Sequence, residues 1–109
     1  MKRLVVLACL LVSGCTEEAP ETVRLLVAAH GCGTCHVIRG IPGATGRTGP
    51  PLVDYGRQVY VAGVVPNTHE TLARFIMDPQ AIDPRTAMPD LGVTAEEADL
   101  LAAFLRAGP

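Results

Sequence analysis

The chain has 109 residues, enough for one small domain and too few for a second independent core. Hydrophobic residues make up 49% of it and charged residues 18%, but aromatics only 4%, with no tryptophan, so a thick self-sufficient core is excluded and a disulfide, metal or cofactor staple is expected. The formal net charge is −2 and the only lysine is Lys2, which leaves no clustered basic surface and excludes nucleic-acid binding.

Lys2 and Arg3 precede an apolar run over residues 4–12 that closes with Ser13, Gly14 and Cys15, the layout of a secretory signal peptide. The run is roughly half of the ~20 apolar residues a membrane span needs. Its end, Leu11-Val12-Ser13-Gly14-Cys15, resembles the lipobox of bacterial lipoproteins. That resemblance implies a signal peptide over residues 1–14 and lipidation of Cys15, whose several acyl chains would anchor the protein stably on the periplasmic side of a bacterial membrane. The alternative is ordinary cleavage after Gly14. Lys2 and Arg3 account for two of the nine basic residues, so the remaining seven, all arginine, face eleven acidic residues in an acidic mature chain.

A linker over residues 15–21 leads to one domain over residues 22–108. Residues 22–30 read as a helix capped by Thr22, with Val23, Leu26 and Val27 on one face. Residues 39–52 are too dense in Gly and Pro for a helix or central strand. Asn67-Thr68-His69-Glu70 reads as a capping box, Asn67 accepting and Glu70 reaching back, which opens a helix over residues 68–77 with Leu72, Phe75 and Ile76 buried. Residues 79–90 are irregular and contain three prolines. Thr94 and Glu97 form a second capping box, opening a helix that runs to Ala107 and is closed by Gly108, with Leu100, Leu101, Phe104 and Leu105 on its apolar stripe. No strand pattern is visible. The expected class is all-α, three main helices joined by long loops.

Four cysteines in an exported chain suggest two disulfides by default. Here Cys9 lies in the signal run and Cys15 is the lipidation candidate, so only Cys32 and Cys35 belong to the folded part, followed at once by His36. Cys32-Gly33-Thr34-Cys35-His36 is a haem c attachment motif: one turn of chain presents both sulfurs to the two vinyl groups on one edge of a porphyrin, and the next residue brings its imidazole to the iron. A buried porphyrin contributes roughly 10 kcal/mol at about 25 cal/mol per Å², comparable with the net stability of a domain. A thioredoxin-like dithiol needs a strand before the pair, and a zinc site needs further ligands where only His30 and His69 remain.

With Cys32 to His36 near the front, Gly49-Pro50-Pro51-Leu52 in the loop, and Met88-Pro89-Asp90-Leu91-Gly92 before a final amphipathic helix, the chain resembles class I cytochromes c, including haem domains fused to respiratory oxidase subunits. The resemblance covers roughly residues 21–105 and implies a cytochrome c fold wrapped around one covalent haem. It implies His36 and Met88 as the iron ligands, the Pro50 carbonyl as partner of the other His36 nitrogen, and Arg57 and Tyr60 near the haem propionates. Where relatives often carry tryptophan this chain has Phe75, and the first helix lacks the glycine that relatives use where terminal helices cross. Met88 has independent support, because a residue before proline is held out of the helical region, whereas Met77, at a helix end, reads as core filler. His30 and His69 read as surface residues.

The function so implied is single-electron transfer between a quinol-oxidising complex and a terminal oxidase or reductase, by a protein that is not itself an enzyme. Docking would use apolar surface at the haem edge and arginines such as Arg39 and Arg47. A fixed haem subunit of an oxidase or dehydrogenase complex is the alternative, and a gas-sensing or peroxidase-like protein would require a labile Met88.

Overall fold

The computed structural model describes residues 17–108. Helix α1 spans Glu21–His30. Glu21 places negative charge in its first turn, which complements the helix dipole at that end. Gly31 stops it in the left-handed conformation, φ 68°, which residues with a side chain rarely adopt. Thr22 lies inside the helix and is not its cap; Pro20 holds that position and no side chain caps the end. Val23 and Val27, one turn apart, are buried, and Leu26 packs partly buried against the same core.

Tight 3-10 turns over Cys32–Thr34 and Tyr55–Arg57 bracket the Gly/Pro-rich segment. That segment folds back on the chain before it. Val37 and Thr45 form an isolated antiparallel bridge, the Gly46 N–H donates to the Gly33 carbonyl at 3.0 Å, and the Leu52 N–H donates to the Val37 carbonyl at 2.9 Å.

The expectation of no strand is corrected by an antiparallel hairpin, β1 (Tyr60–Val61) and β2 (Val65–Pro66), with Tyr60 opposite Pro66 and Val61 opposite Val65. Ala62 and Gly63 both have positive φ, 54° and 70°, and the Val64 N–H donates to the Val61 carbonyl at 3.0 Å, a type I′ turn. Two-residue strands are too short to show alternation, and alanine stands where Asn or Asp usually marks this turn. Val61 is fully buried, worth about 1.5–3 kcal/mol for a side chain of this kind.

Helix α2 spans His69–Met77. Its capping box uses Thr68 and Thr71, which exchange side-chain and backbone bonds; Asn67 and Glu70 do not form it. The Asn67 amide instead donates to the carbonyls of Tyr55 at 2.9 Å and Gln58 at 3.0 Å, tying the second 3-10 turn to the start of α2. A one-turn helix α3, Pro79–Ile82, replaces part of the expected irregular segment: Asp78 caps it by accepting from the Ala81 N–H, and Pro79 fits its first position without losing a hydrogen bond.

Helix α4 spans Ala95–Arg106, and its Thr94–Glu97 capping box is present. Its C-terminal cap is Ala107, and Gly108 beyond it does not take the left-handed conformation with which a glycine closes a helix. Ala98, Leu101 and Ala102 form its buried stripe, whereas Leu100, a helical step to one side, is 47% exposed. α4 packs against α2, α1 and the Tyr55–Arg57 turn. The architecture is mostly helical with one two-stranded sheet, four helices in place of three among the described residues. Among these residues no helix is long and apolar enough to cross a membrane.

Candidate functional site

The segment from Gly31 to His36 is wound tightly by its own backbone. The N–H groups of Cys35 and His36 both donate to the Cys32 carbonyl, at 3.3 and 3.1 Å, so one turn brings the two sulfurs and the imidazole to one side of the chain. The folded-back loop then fixes His36. The Gly49 N–H donates to the Cys35 carbonyl at 2.8 Å, and His36 Nδ1 lies 2.6 Å from the Pro50 carbonyl oxygen. A carbonyl only accepts, so Nδ1 carries the proton and Nε2 keeps the free lone pair of a metal-ligating histidine. The ring lies directly against Gly49: a Cβ there would stand 2.5 Å from His36 Cε1.

Both cysteines, His36 and Met88 line one cavity of about 390 Å³. Met88 reaches it from the loop between α3 and α4. The remaining walls are mainly apolar, drawn from α2 (Leu72, Phe75, Ile76) and α4 (Leu101, Phe104, Leu105). Met77 does not line it and packs into the core. Burial pushes the Cys32 thiol above its ordinary value, which keeps it protonated, the opposite of the thiolate that a redox dithiol uses. Among the described residues no group of three or more His, Cys, Asp or Glu side chains converges as a metal-binding cluster. An apolar cavity that carries two thiols, one imidazole with a free nitrogen and one thioether suits a large, mostly apolar prosthetic group bonded at its edge and ligated through a metal.

The other candidates are placed differently. Arg57 and Tyr60 are exposed and do not line the cavity; Tyr55, 8% exposed, does. Arg39 points to another cleft and lies 3.5 Å from Asp54, while Arg47 is exposed. His30 is not a surface residue: its side chain is 14% exposed, and Nε2 is 3.1 Å from a Glu97 carboxylate oxygen. His69 is partly exposed and bonds Asp99. Cys15 and residues 1–14 lie outside the described residues. Tyr55 and Phe104 went unread as cavity residues; Phe104, one turn beyond Leu101 on α4, offered a helical-spacing signal, whereas Tyr55 offered none, since only the folding of the loop over the motif brings it inward.

A scan against protein-family models finds no match. The chain is similar to cytochrome c oxidase subunit 2 of Alkalihalophilus pseudofirmus, with 30% identity over 95 aligned residues that cover 83% of this chain. It spans 27% of the length of that relative. The expectation that the chain is not an enzyme does not stand, because the protein it is similar to is a subunit of an oxidase.

Proposed function

We propose that this chain is a haem c electron-transfer module of class I cytochrome c fold that serves a respiratory oxidase. In this reading residues 1–14 are a signal peptide, residues 15–21 a linker and residues 22–108 the haem domain, held on the periplasmic face of a bacterial membrane by lipid on Cys15. The observation that carries it is the convergence of Cys32, Cys35, His36 and Met88, from opposite ends of the domain, on one apolar cavity. Cys32 and Cys35 would hold the haem covalently, and His36 Nε2 and the Met88 sulfur would ligate its iron.

Haem, when bound, supplies an iron that gains and loses one electron, and thioether ligation with apolar burial favours the ferrous form and a high potential. The chain's own residues do the rest. Pro50 fixes the tautomer and plane of His36, Gly49 lets the ring sit against the loop, and the walls from α2 and α4 surround the cavity with apolar side chains. With haem held there, the domain would take one electron from a reduced partner, such as a quinol-oxidising complex, and pass it to an oxidised one, the terminal oxidase. The likeness to an oxidase subunit supports that acceptor. A copper centre of the His₂Cys type needs a second histidine, and among the described residues His36 is the one histidine that lines the cavity.

The test is an absorption spectrum of both redox states, with haem extraction and metal analysis, on full-length protein made in cells that attach haem c. The expected result is one haem that resists extraction, with a far-red sulfur-to-iron band in the oxidised state. A colourless folded protein, or one that holds copper and no haem, overturns the proposal. Co-purification with oxidase subunits at constant stoichiometry would mark a fixed subunit, and salt-sensitive, substoichiometric association a mobile carrier.

A further inference from the structure

Met88 sits in a loop with no regular structure, yet both of its backbone groups are held by side chains. Its N–H donates to Thr86 Oγ1 at 3.2 Å, and its carbonyl accepts from Gln80 Nε2 at 2.7 Å. Pro89 follows, so the backbone of Met88 is fixed before it, at it and after it. The two holding residues are themselves anchored. Gln80 stands on α3, which exists because Asp78 caps it and Pro79, fully buried, seats it. The Thr86 N–H donates to the Asp83 carbonyl at 3.1 Å, and the Asp83 carboxylate accepts from the Arg85 N–H at 3.0 Å.

This arrangement answers a physical need. Methionine has three rotatable bonds and a soft sulfur, so its sulfur is placed only as well as the backbone that carries it. Gln80 is exposed and contributes nothing to the core. Its aim at the Met88 carbonyl is therefore not a by-product of packing. We propose that Gln80 and Thr86 are positioning residues that hold Met88 toward the cavity and so set how readily a competing ligand displaces its sulfur. This rests on the haem reading above.

The experiment titrates imidazole into oxidised, haem-loaded full-length protein and follows the absorption spectrum, for the parent and for Gln80→Ala, Gln80→Glu, Thr86→Val and Thr86→Ser. Losing one hydrogen bond changes an equilibrium by about three- to tenfold, so Gln80→Ala, Gln80→Glu and Thr86→Val should each bind imidazole about three- to tenfold more tightly and weaken the far-red band. Thr86→Ser keeps the hydroxyl and should behave as the parent. In a Met88→Ala background the same substitutions should have no further effect, since there is no sulfur left to displace. Equal imidazole affinity in all variants of a protein that does carry haem overturns this inference alone, as does an effect that persists without Met88. A parent that carries no haem overturns the haem reading and this inference together.

Discussion

The two sides of the cavity are held by different means. On the histidine side, backbone meets backbone: the Cys32 carbonyl takes two N–H groups, Gly49 bonds Cys35, Leu52 bonds Val37, and His36 itself is fixed by a main-chain carbonyl. On the methionine side, the loop after α3 is held by side chains, from Gln80, Asp83, Thr86 and Asp90, each reaching a backbone group. A backbone network depends on where glycine and proline allow the chain to go. A side-chain network depends on residue identities that substitution removes one at a time. The histidine side is thus built to be invariant in geometry, and the methionine side to be adjustable in strength.

The largest effect that bears on this contrast is removal of both thiols. On the proposed haem reading, Cys32→Ala with Cys35→Ala should make the haem extractable, and the haem-free chain should lose a burial contribution of roughly 10 kcal/mol, so that its thermal unfolding is no longer cooperative. Retention of a full cooperative melt would break the view that the cofactor is the core. Next is Gly49→Ala, whose Cβ would stand 2.5 Å from Cε1 and 2.8 Å from Nδ1 of the His36 ring. It should destabilise by about 1–3 kcal/mol, the usual cost of overpacking, and, on the proposed haem reading, disturb ligation by His36, read by magnetic circular dichroism.

Met88→Leu should cost less than about 1.5 kcal/mol, as swaps of similar volume do, yet on the proposed haem reading it should erase the far-red band, lower the potential and let the reduced protein bind carbon monoxide. If Gly49→Ala and Met88→Leu cost the same in denaturant melts, the two sides do not differ as described. Thr94→Ala removes the cap of α4 and should cost about 1 kcal/mol, which chemical denaturation would resolve.

The smallest effect concerns acid. The Glu97 carboxyl is held below its ordinary 4.5, chiefly because the Thr94 backbone N–H donates to it and further because His30 bonds it. Its folded value is the lower one, so its stabilisation is fully present above the ordinary value and is lost as pH falls through the folded one. Melts taken from neutral pH down through the carboxylate range should show a smaller loss for Glu97→Gln than for the parent. Because Glu97 links the end of α1 to the start of α4, this also tests whether the histidine side depends on that link.

The sequence by itself determined the parts whose physics is local. The five residues from Cys32 to His36 define a tight turn that carries two thiols and an imidazole, Pro89 keeps Met88 out of a helix, and Thr94 with Glu97 opens α4, because each acts on neighbours a few residues away. Tertiary structure decided what depends on distant backbone: which tyrosine faces the cavity, Tyr55 and not Tyr60; that His30 pairs with Glu97; that Asn67 ties a turn and does not cap a helix; and that Gln80 and Thr86 hold Met88. No periodicity records such pairings. They arise only when a loop folds over the motif or a one-turn helix brings a side chain to a carbonyl eight residues on.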